Sequence, residues 1–475
     1  MENKNKITII GVPASPYTRK MLSALRYRNI QHSVIWGNAK EILNSMGLET
    51  PKPILLPVVL LHNGSEFTAI CDTTPIIRKL ESNKSDRGII PKNKSLALLN
   101  SILEDFGDEW VTKYMFHYRW HFQRDIDNAG NILPLLHSVN LEEKAHKDFK
   151  KYITDLQISR LWVVGSNEKT ADIIERSYKR FLALLENHFE TTPFLLGDKP
   201  LSSDFAFYGQ MTQLIGFDPT SREIALEISP RTVAWVDIME DLSGFNEDSS
   251  HLLSIENLPE TTFSIFEELS HGYVPAMIAN SIAFKEGKET WSTKIDDQMW
   301  EQKTFPYQAK CLEWIRDEFN ELDQDDKTKV FNFLTECFRT DPSSLEPASA
   351  PVKQTRSSMG LRVIKEASPG NVFRDALGDL TDNHFDPSTH CILHEDQHII
   401  ICSRYGIFQK FTSLPQEVLL LTLLLLPVVQ ELANARVFRR RVFPVGIKCE
   451  LLTPGRHDLC HFRLHDLELF VNFLL

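Results

Sequence analysis

The stretch Ile7–Leu25, ITIIGVPASPYTRKMLSAL, decides how the first part of this chain reads. Ile7, Ile9 and Ile10 form a short apolar run, and Gly11-Val12-Pro13 breaks it. Ser15-Pro16 then has the form of a helix start, a hydroxyl at the N-cap and proline at the first helical position. Met21, Leu22 and Leu25 follow at helical spacing. A strand–turn–helix of this kind sets one hydroxyl at the positive end of a helix dipole, where an anion is favoured. Ser15-Pro16-Tyr17-Thr18 also has the frame of a redox C-x-x-C turn, with oxygen where both sulfurs would stand. A helix start that lowers a cysteine pKa equally stabilises a thiolate carried by a ligand. The plainer reading is that Ser15 is only a cap.

Working outward, His32–Trp36 reads as a second strand, and Lys40–Met46 is a candidate short helix. Ile54–Leu61 runs into His62-Asn63-Gly64-Ser65, and Phe67–Ile70 resumes the apolar pattern. Asn-Gly between two such runs predicts a hairpin. Thr73 or Thr74 caps a following helix that carries Ile76, Ile77 and Leu80. The order β-α-β-(α)-β-β-α, with Pro57 before the third strand, completes a small α/β unit over residues 1–92.

At this point the chain resembles the glutathione transferase superfamily. Ser15-Pro16-x-x-Arg19, Leu56-Pro57-Val58 and Asp72-Thr73-x-Pro75-Ile76 carry the match. The resemblance implies a thioredoxin-like N-terminal domain and an all-helical C-terminal domain. It implies that Ser15 activates the glutathione sulfur, and that a cis-proline corner at Leu56, Pro57 and Val58 pairs with the cysteinyl part. Asp72 and Thr73 would hold the γ-glutamyl end. An anion for the α-ammonium and a helix-start hydroxyl and N–H for the carboxylate suit that task. The bland reading of Asp72-Thr73 is a helix cap.

Strand signals nearly vanish after Ile90, and residues 93–338 read as helical. Ile102, Phe106, Trp110, Tyr114 and Tyr118 recur every fourth residue as one aromatic face. By the resemblance, this face lines the second-substrate pocket through Tyr114, Met115, His117 and Tyr118. Interdomain core is the competing reading. His117 and His121 lie one turn apart, but no acidic partner accompanies them in the zincin pattern, so no metal is expected. Phe194–Ala206 resembles the family's buried S/T-x-x-D capping box. Leu201 stands where the capping hydroxyl belongs, Asp204 is kept, and Ser202 is a substitute cap. Thr304–Phe338 reads as closing helices with Leu312, Ile315, Phe319 and Leu322 on one face and Cys311 as a buried thiol.

Residues 339–360 are rich in Pro, Ser and Ala and read as a linker. The extension 361–475 has a different composition and no family resemblance. Its histidines and cysteines (His384, His390, Cys391, His394, His398, Cys402) match no zinc spacing. Arg439-Arg440-Arg441 reads as a solvated patch, and a functionless extension is an open alternative for the whole segment.

At 475 residues there is chain for roughly three domains. The net charge of -12 argues against nucleic acid or an anionic membrane as partner. The apolar run 418–429, broken by Thr422 and Pro427, is too short to span a bilayer. Cysteine usage gives no disulfide framework, and MENKNK lacks a signal-peptide pattern, so the cytoplasm is expected. The implied activity is conjugation of glutathione, as co-substrate, to an apolar electrophile by a homodimer. The alternative is a non-catalytic binding or scaffold protein on the same fold. A thiol–disulfide reductase is disfavoured, because relatives that do this carry cysteine at the Ser15 position.

Overall fold

The structure is a computed structural model that describes residues 7–63, 66–81, 87–246, 252–338, three short strands within 391–412, and 466–467 with 469–475. The chain divides into two compact units, Met1–Arg339 with Leu459–Leu475, and Thr340–Asp458.

The first unit opens with β1 (Ile7–Gly11), α1 (Pro16–Tyr27), β2 (His32–Trp36), α2 (Ala39–Ser45), β3 (Val58–Asn63), β4 (Glu66–Ile70) and α3 (Thr73–Glu81). Their sheet has the order β2-β1-β3-β4, with β1 parallel to β2 and antiparallel to β3. β3 and β4 pair antiparallel, with Asn63 opposite Glu66. Ile10, Val58 and Leu60 bury one face of the sheet against Ala39 and Leu43 of α2. Alternation leaves Ile9 and Val59, also fully buried, for the opposite face. This is the thioredoxin-like arrangement that the resemblance implies.

Helices follow: α4 (Lys94–Asp105), a π-helical turn (Phe106–Val111), α5 (Thr112–His121), α6 (Gln123–His137), α7 (Glu143–Ile158), α8 (Ala171–His188), α9 (Ser202–Leu214), α10 (Pro219–Ile228), α11 (Pro230–Met239), α12 (Glu260–His271) and α13 (Tyr273–Lys285). The π turn explains the four-residue aromatic spacing. In a regular α-helix each step of four overshoots by about 40°. The wider π turn takes some of that drift back, and Ile102, Phe106, Trp110, Tyr114 and Tyr118 are all buried.

One strand pair interrupts the helices where none was expected. β5 (Thr290–Ile295) and β6 (Gln298–Lys303) form a hairpin whose central residues, Asp296 and Asp297, both have positive φ (49° and 61°). That is the backbone of a two-residue type I′ turn. Trp291, Ile295 and Trp300 bury its inner face. α14 (Pro306–Asn320) and α15 (Gln324–Cys337) then close the helical part, with Leu312, Ile315, Phe319 and Leu322 buried as the spacing predicts.

The last residues of the chain return to this unit. Residues 469–474 are helical, Phe473 packs on Tyr273, Phe470 approaches Phe266, and Arg316 donates to the carbonyls of Asn472 and Phe473. In the second unit, β7 (Cys391–Glu395), β8 (His398–Cys402) and β9 (Phe408–Thr412) form an antiparallel sheet. The linker at 339–360, the triple arginine, the run 418–429, and His384 and His390 lie outside the described residues. Among the described residues no helix is long and apolar enough to cross a membrane.

Candidate functional site

The sheet register gathers the three sequence motifs at one edge. Ile10 pairs with Val58 and Val59 pairs with Ile70. One step further along each ladder brings the end of β1, Pro57 and the Cys71-Asp72 corner side by side. The turn from β1 to α1 rises from the same edge and carries Ser15. The Leu56–Pro57 peptide is cis, as is Lys52–Pro53.

Ser15 caps α1, its Oγ accepting from the Thr18 backbone N–H at 3.2 Å. That bond uses a lone pair and leaves the hydroxyl proton free to donate. The residue is 8% exposed. Gly11 is tight beneath it, since a Cβ there would lie 2.6 Å from Thr18 Oγ1. Arg19 does not turn to the site. It pairs with Glu240, which also takes Arg26 at 2.9 Å, so this face of α1 is tied to the end of α11.

Asp72 has φ +82°, a left-handed conformation rare for a residue with a side chain. One carboxylate oxygen accepts from Tyr307 Oη at 2.9 Å. Burial pushes its pKa up, against the Tyr307 bond and the nearby Lys20 charge. Thr73 is buried at the start of α3, and Thr74 Oγ1 donates toward Glu104 (3.2 Å) and Asp108 (3.3 Å).

Beneath the site lies an ionic cluster that the motif reading missed. Lys20 Nζ bonds Glu104 Oε1 at 2.7 Å and Asp108 Oδ2 at 2.6 Å, and Arg78 bonds Glu104 Oε2 at 2.7 Å. Burial pulls the Lys20 ammonium down, but Asp108 and Glu104 outweigh it and raise its pKa. Burial likewise opposes ionisation of Glu104, yet Arg78 and Lys20 hold it well below the carboxylate range. Asp108 is pushed up to about 6 by burial, with Glu104 adding and Lys20 opposing. Tyr17 Oη donates to the Asp108 carbonyl at 2.8 Å. Lys20 had a sequence signal: a lysine four residues from Pro16 and Ala24 falls on the buried face of α1. Tyr307 had none, because its partner is 235 residues away.

The aromatic residues assigned to a second-substrate pocket sit in the helical core. Tyr114 Oη bonds Trp110 Nε1 (2.9 Å) and Ser177 Oγ (2.7 Å), and Tyr118 packs between Phe122 and Tyr178. His117 Nδ1 meets Ser166 Oγ at 2.8 Å, and Met115 is buried beside them in α5. All of these partners belong to the helical region itself. Trp36 is 45% exposed.

The capping box differs from the expectation at one position. Leucine has no acceptor, so Leu201 offers only its backbone N–H, which donates to Asp204 Oδ2 at 2.8 Å; Leu195 N–H donates to Oδ1 at 2.9 Å. Ser202 is not the substitute cap: its hydroxyl donates to Glu104 and accepts from Asn100. Asn100 of α4 takes the helix-start N–H of Ser203 at 3.1 Å instead. Cys311 is buried, and burial pushes its thiol well up, as an inert core thiol requires.

Residues 9–88 match the family described as "Glutathione S-transferase, N-terminal domain". No curated protein matches the chain. Among solved structures, a GST-like protein from Pseudomonas syringae is similar at 15% identity and TM-score 0.32, over 49% of this chain and 66% of that one. A glutathione transferase family member from Pseudomonas fluorescens pf-5, with two glutathione bound, is similar at 13% and 0.30, over 51% and 95%. Maleylacetoacetate isomerase from Anaeromyxobacter dehalogenans 2CP-1 is similar at 12% and 0.28, over 50% and 86%. The matched residues and the thioredoxin-like sheet they fold into identify residues 9–88 as a glutathione S-transferase N-terminal domain.

Proposed function

We propose that this protein binds glutathione at the edge formed by Ser15, Leu56-Pro57-Val58 and Asp72-Thr73, and conjugates its thiolate to an apolar electrophile. The register that brings Gly11, Pro57 and Asp72 to one end of the sheet carries the reading. In it, the backbone of Pro57 and Val58 pairs with the cysteinyl unit as an added strand segment. Asp72 takes the α-ammonium, and the start of α3 at Thr73 takes the neighbouring carboxylate. Ser15 Oγ, already accepting from Thr18, donates a hydrogen bond to the thiolate. That bond and the α1 dipole stabilise the thiolate and orient it for attack. The thiol proton goes to solvent on ionisation, and the sulfur forms a bond to the electrophilic carbon. At a halide the carbon–halogen bond breaks and halide departs with its electron pair; at an enone the displaced π pair takes a proton from water.

A second reading, a non-catalytic scaffold on the same fold, is favoured by one contact. Tyr307 Oη occupies the carboxylate oxygen that an ammonium would use. Binding then requires the start of α14 to yield. Homodimerisation and a cytoplasmic setting belong to the proposal on family grounds alone.

Conjugation of glutathione to a panel of aromatic halides and enones, followed by absorbance, tests the reading with the full chain and its Ser15→Ala and Tyr307→Phe variants. The account expects Ser15→Ala to lose most turnover while retaining glutathione binding. Equal turnover in that variant refutes the role of Ser15. Absence of both binding and turnover in every form selects the second reading.

A further inference from the structure

Away from the proposed glutathione edge, His117 and His121 of α5 meet Glu175 of α8. One ligand atom from each, an imidazole nitrogen from either histidine and a carboxylate oxygen, lies within 4.8 Å of both others. The sequence search missed the acidic member because it stands 54 to 58 residues downstream on another helix.

His117 is the telling residue. Its side chain is fully buried. Nδ1 is engaged by Ser166 Oγ at 2.8 Å, but Nε2 has no hydrogen-bond partner. The nearest charged oxygen, Glu175 Oε1, is 3.6 Å away, beyond hydrogen-bond reach. A buried imidazole nitrogen without a partner is uncommon in a folded protein and calls for an explanation. Ser166 supplies the outer hydrogen bond that metal-binding histidines characteristically make, which fixes the ring and leaves Nε2 to face the ligand. His121 stacks on His117 with ring centroids 4.6 Å apart, and Phe122 walls the pair edge-on.

We propose that His117, His121 and Glu175 bind one divalent transition-metal ion of the Zn²⁺ class. Two imidazoles and one carboxylate suit such an ion, with water in the remaining position. Tetrahedral coordination with bonds of about 2.0–2.1 Å sets ligand atoms roughly 3.3 Å apart. The His117–Glu175 pair is already near that spacing. The half-buried Glu175 and the exposed His121 are free to close the rest, and the exposure of His121 gives the ion its way in. The bound ion ties α5 to α8, the two helices that bury Tyr114, Tyr118 and Tyr178 against one another.

Titration of the full, chelator-stripped chain with Co²⁺ tests the site by visible absorption, with Zn²⁺ calorimetry giving the stoichiometry. The chosen variants, His121→Ala and Glu175→Gln, change accessible side chains and spare the buried His117. The expected result is d–d absorption with nitrogen and oxygen ligation. Each variant should lose one bound equivalent or weaken it by more than about tenfold. Zn²⁺ should also raise the thermal midpoint of the native chain more than that of either variant. No binding overturns the proposal. So does binding that both variants leave unchanged; a thiolate-to-cobalt band in that case puts the metal on cysteines.

Discussion

Replacing Lys20 by Met tests the buried ionic cluster on which the site rests. The ammonium is 1% exposed and sits 2.7 Å from Glu104 and 2.6 Å from Asp108. Methionine keeps most of the volume and removes the charge. Glu104 retains Arg78 at 2.7 Å and the Ser202 hydroxyl at 2.7 Å, so it stays compensated. The Asp108 carboxylate keeps only the Thr74 hydroxyl at 3.3 Å. Breaking a buried pair from one side costs about 3–5 kcal/mol, chiefly for the charge left behind. Here that charge can be neutralised. Asp108 already titrates near 6, and loss of Lys20 raises it further. From pH 6 up to the new pKa the variant then holds a proton that the parent has released. Its deficit therefore grows with pH, by up to about 1.4 kcal/mol per unit.

Urea unfolding followed by tryptophan fluorescence reads this through the first transition midpoint, since a chain of two units need not unfold in one step. The expected midpoint loss is about 1 M or more at pH 8, and clearly smaller at pH 6. Lys20→Met/Asp108→Asn should recover much of the loss. A deficit below about 1 kcal/mol at pH 8, or one equal at the two pH values, refutes the reasoning.

Other consequences follow from single contacts. Asp204→Ala strands the buried N–H groups of Leu195 and Leu201 and should cost about 2–6 kcal/mol, at about 1–3 for each unsatisfied donor. Asp204→Asn, which keeps an acceptor, should cost less in the same urea assay. Asp105, half-buried and accepting from Tyr273 Oη at 2.5 Å, has its carboxyl pushed up to about 7, chiefly by desolvation. The folded chain therefore keeps a proton that the unfolded chain releases near pH 4, and this contribution is lost as pH rises toward 7. Asp105→Asn should gain on the parent by about 3–4 kcal/mol between pH 4 and pH 8; a gap that does not change with pH would be contrary. Gly209→Ala places a Cβ 2.4 Å from the Pro16 carbonyl oxygen where α9 crosses α1, and should lower the thermal midpoint by several degrees.

The α/β unit was legible because its signals are local: alternating runs, an Asn-Gly turn and a Ser-Pro cap each act within a few residues. The site motifs were legible for the same reason, since each lies at the end of one strand or the start of one helix. What escaped depends on distant partners. Tyr307 reaches Asp72, Asn100 caps α9, and the tail helix docks on α12 and α13, and no window of sequence joins these pairs. The β5–β6 hairpin was legible in principle. Trp291, Thr293 and Ile295 alternate before Asp296-Asp297, but aspartate pairs are a weaker turn signal than Asn-Gly, and helices surround it. The aromatic stripe shows the limit of periodicity, which announces a buried face without saying whether a ligand or another helix covers it.

Calorimetric titration of glutathione into the full chain and its Asp72→Asn variant tests the central claim most directly. Asparagine tolerates the positive φ of that position, so the substitution removes the charge while keeping the backbone. The account predicts one site per chain in the parent, weakened about tenfold or more in the variant, as expected for losing a charge-assisted bond to an ammonium group. No binding to the parent, or equal binding to both, would contradict it.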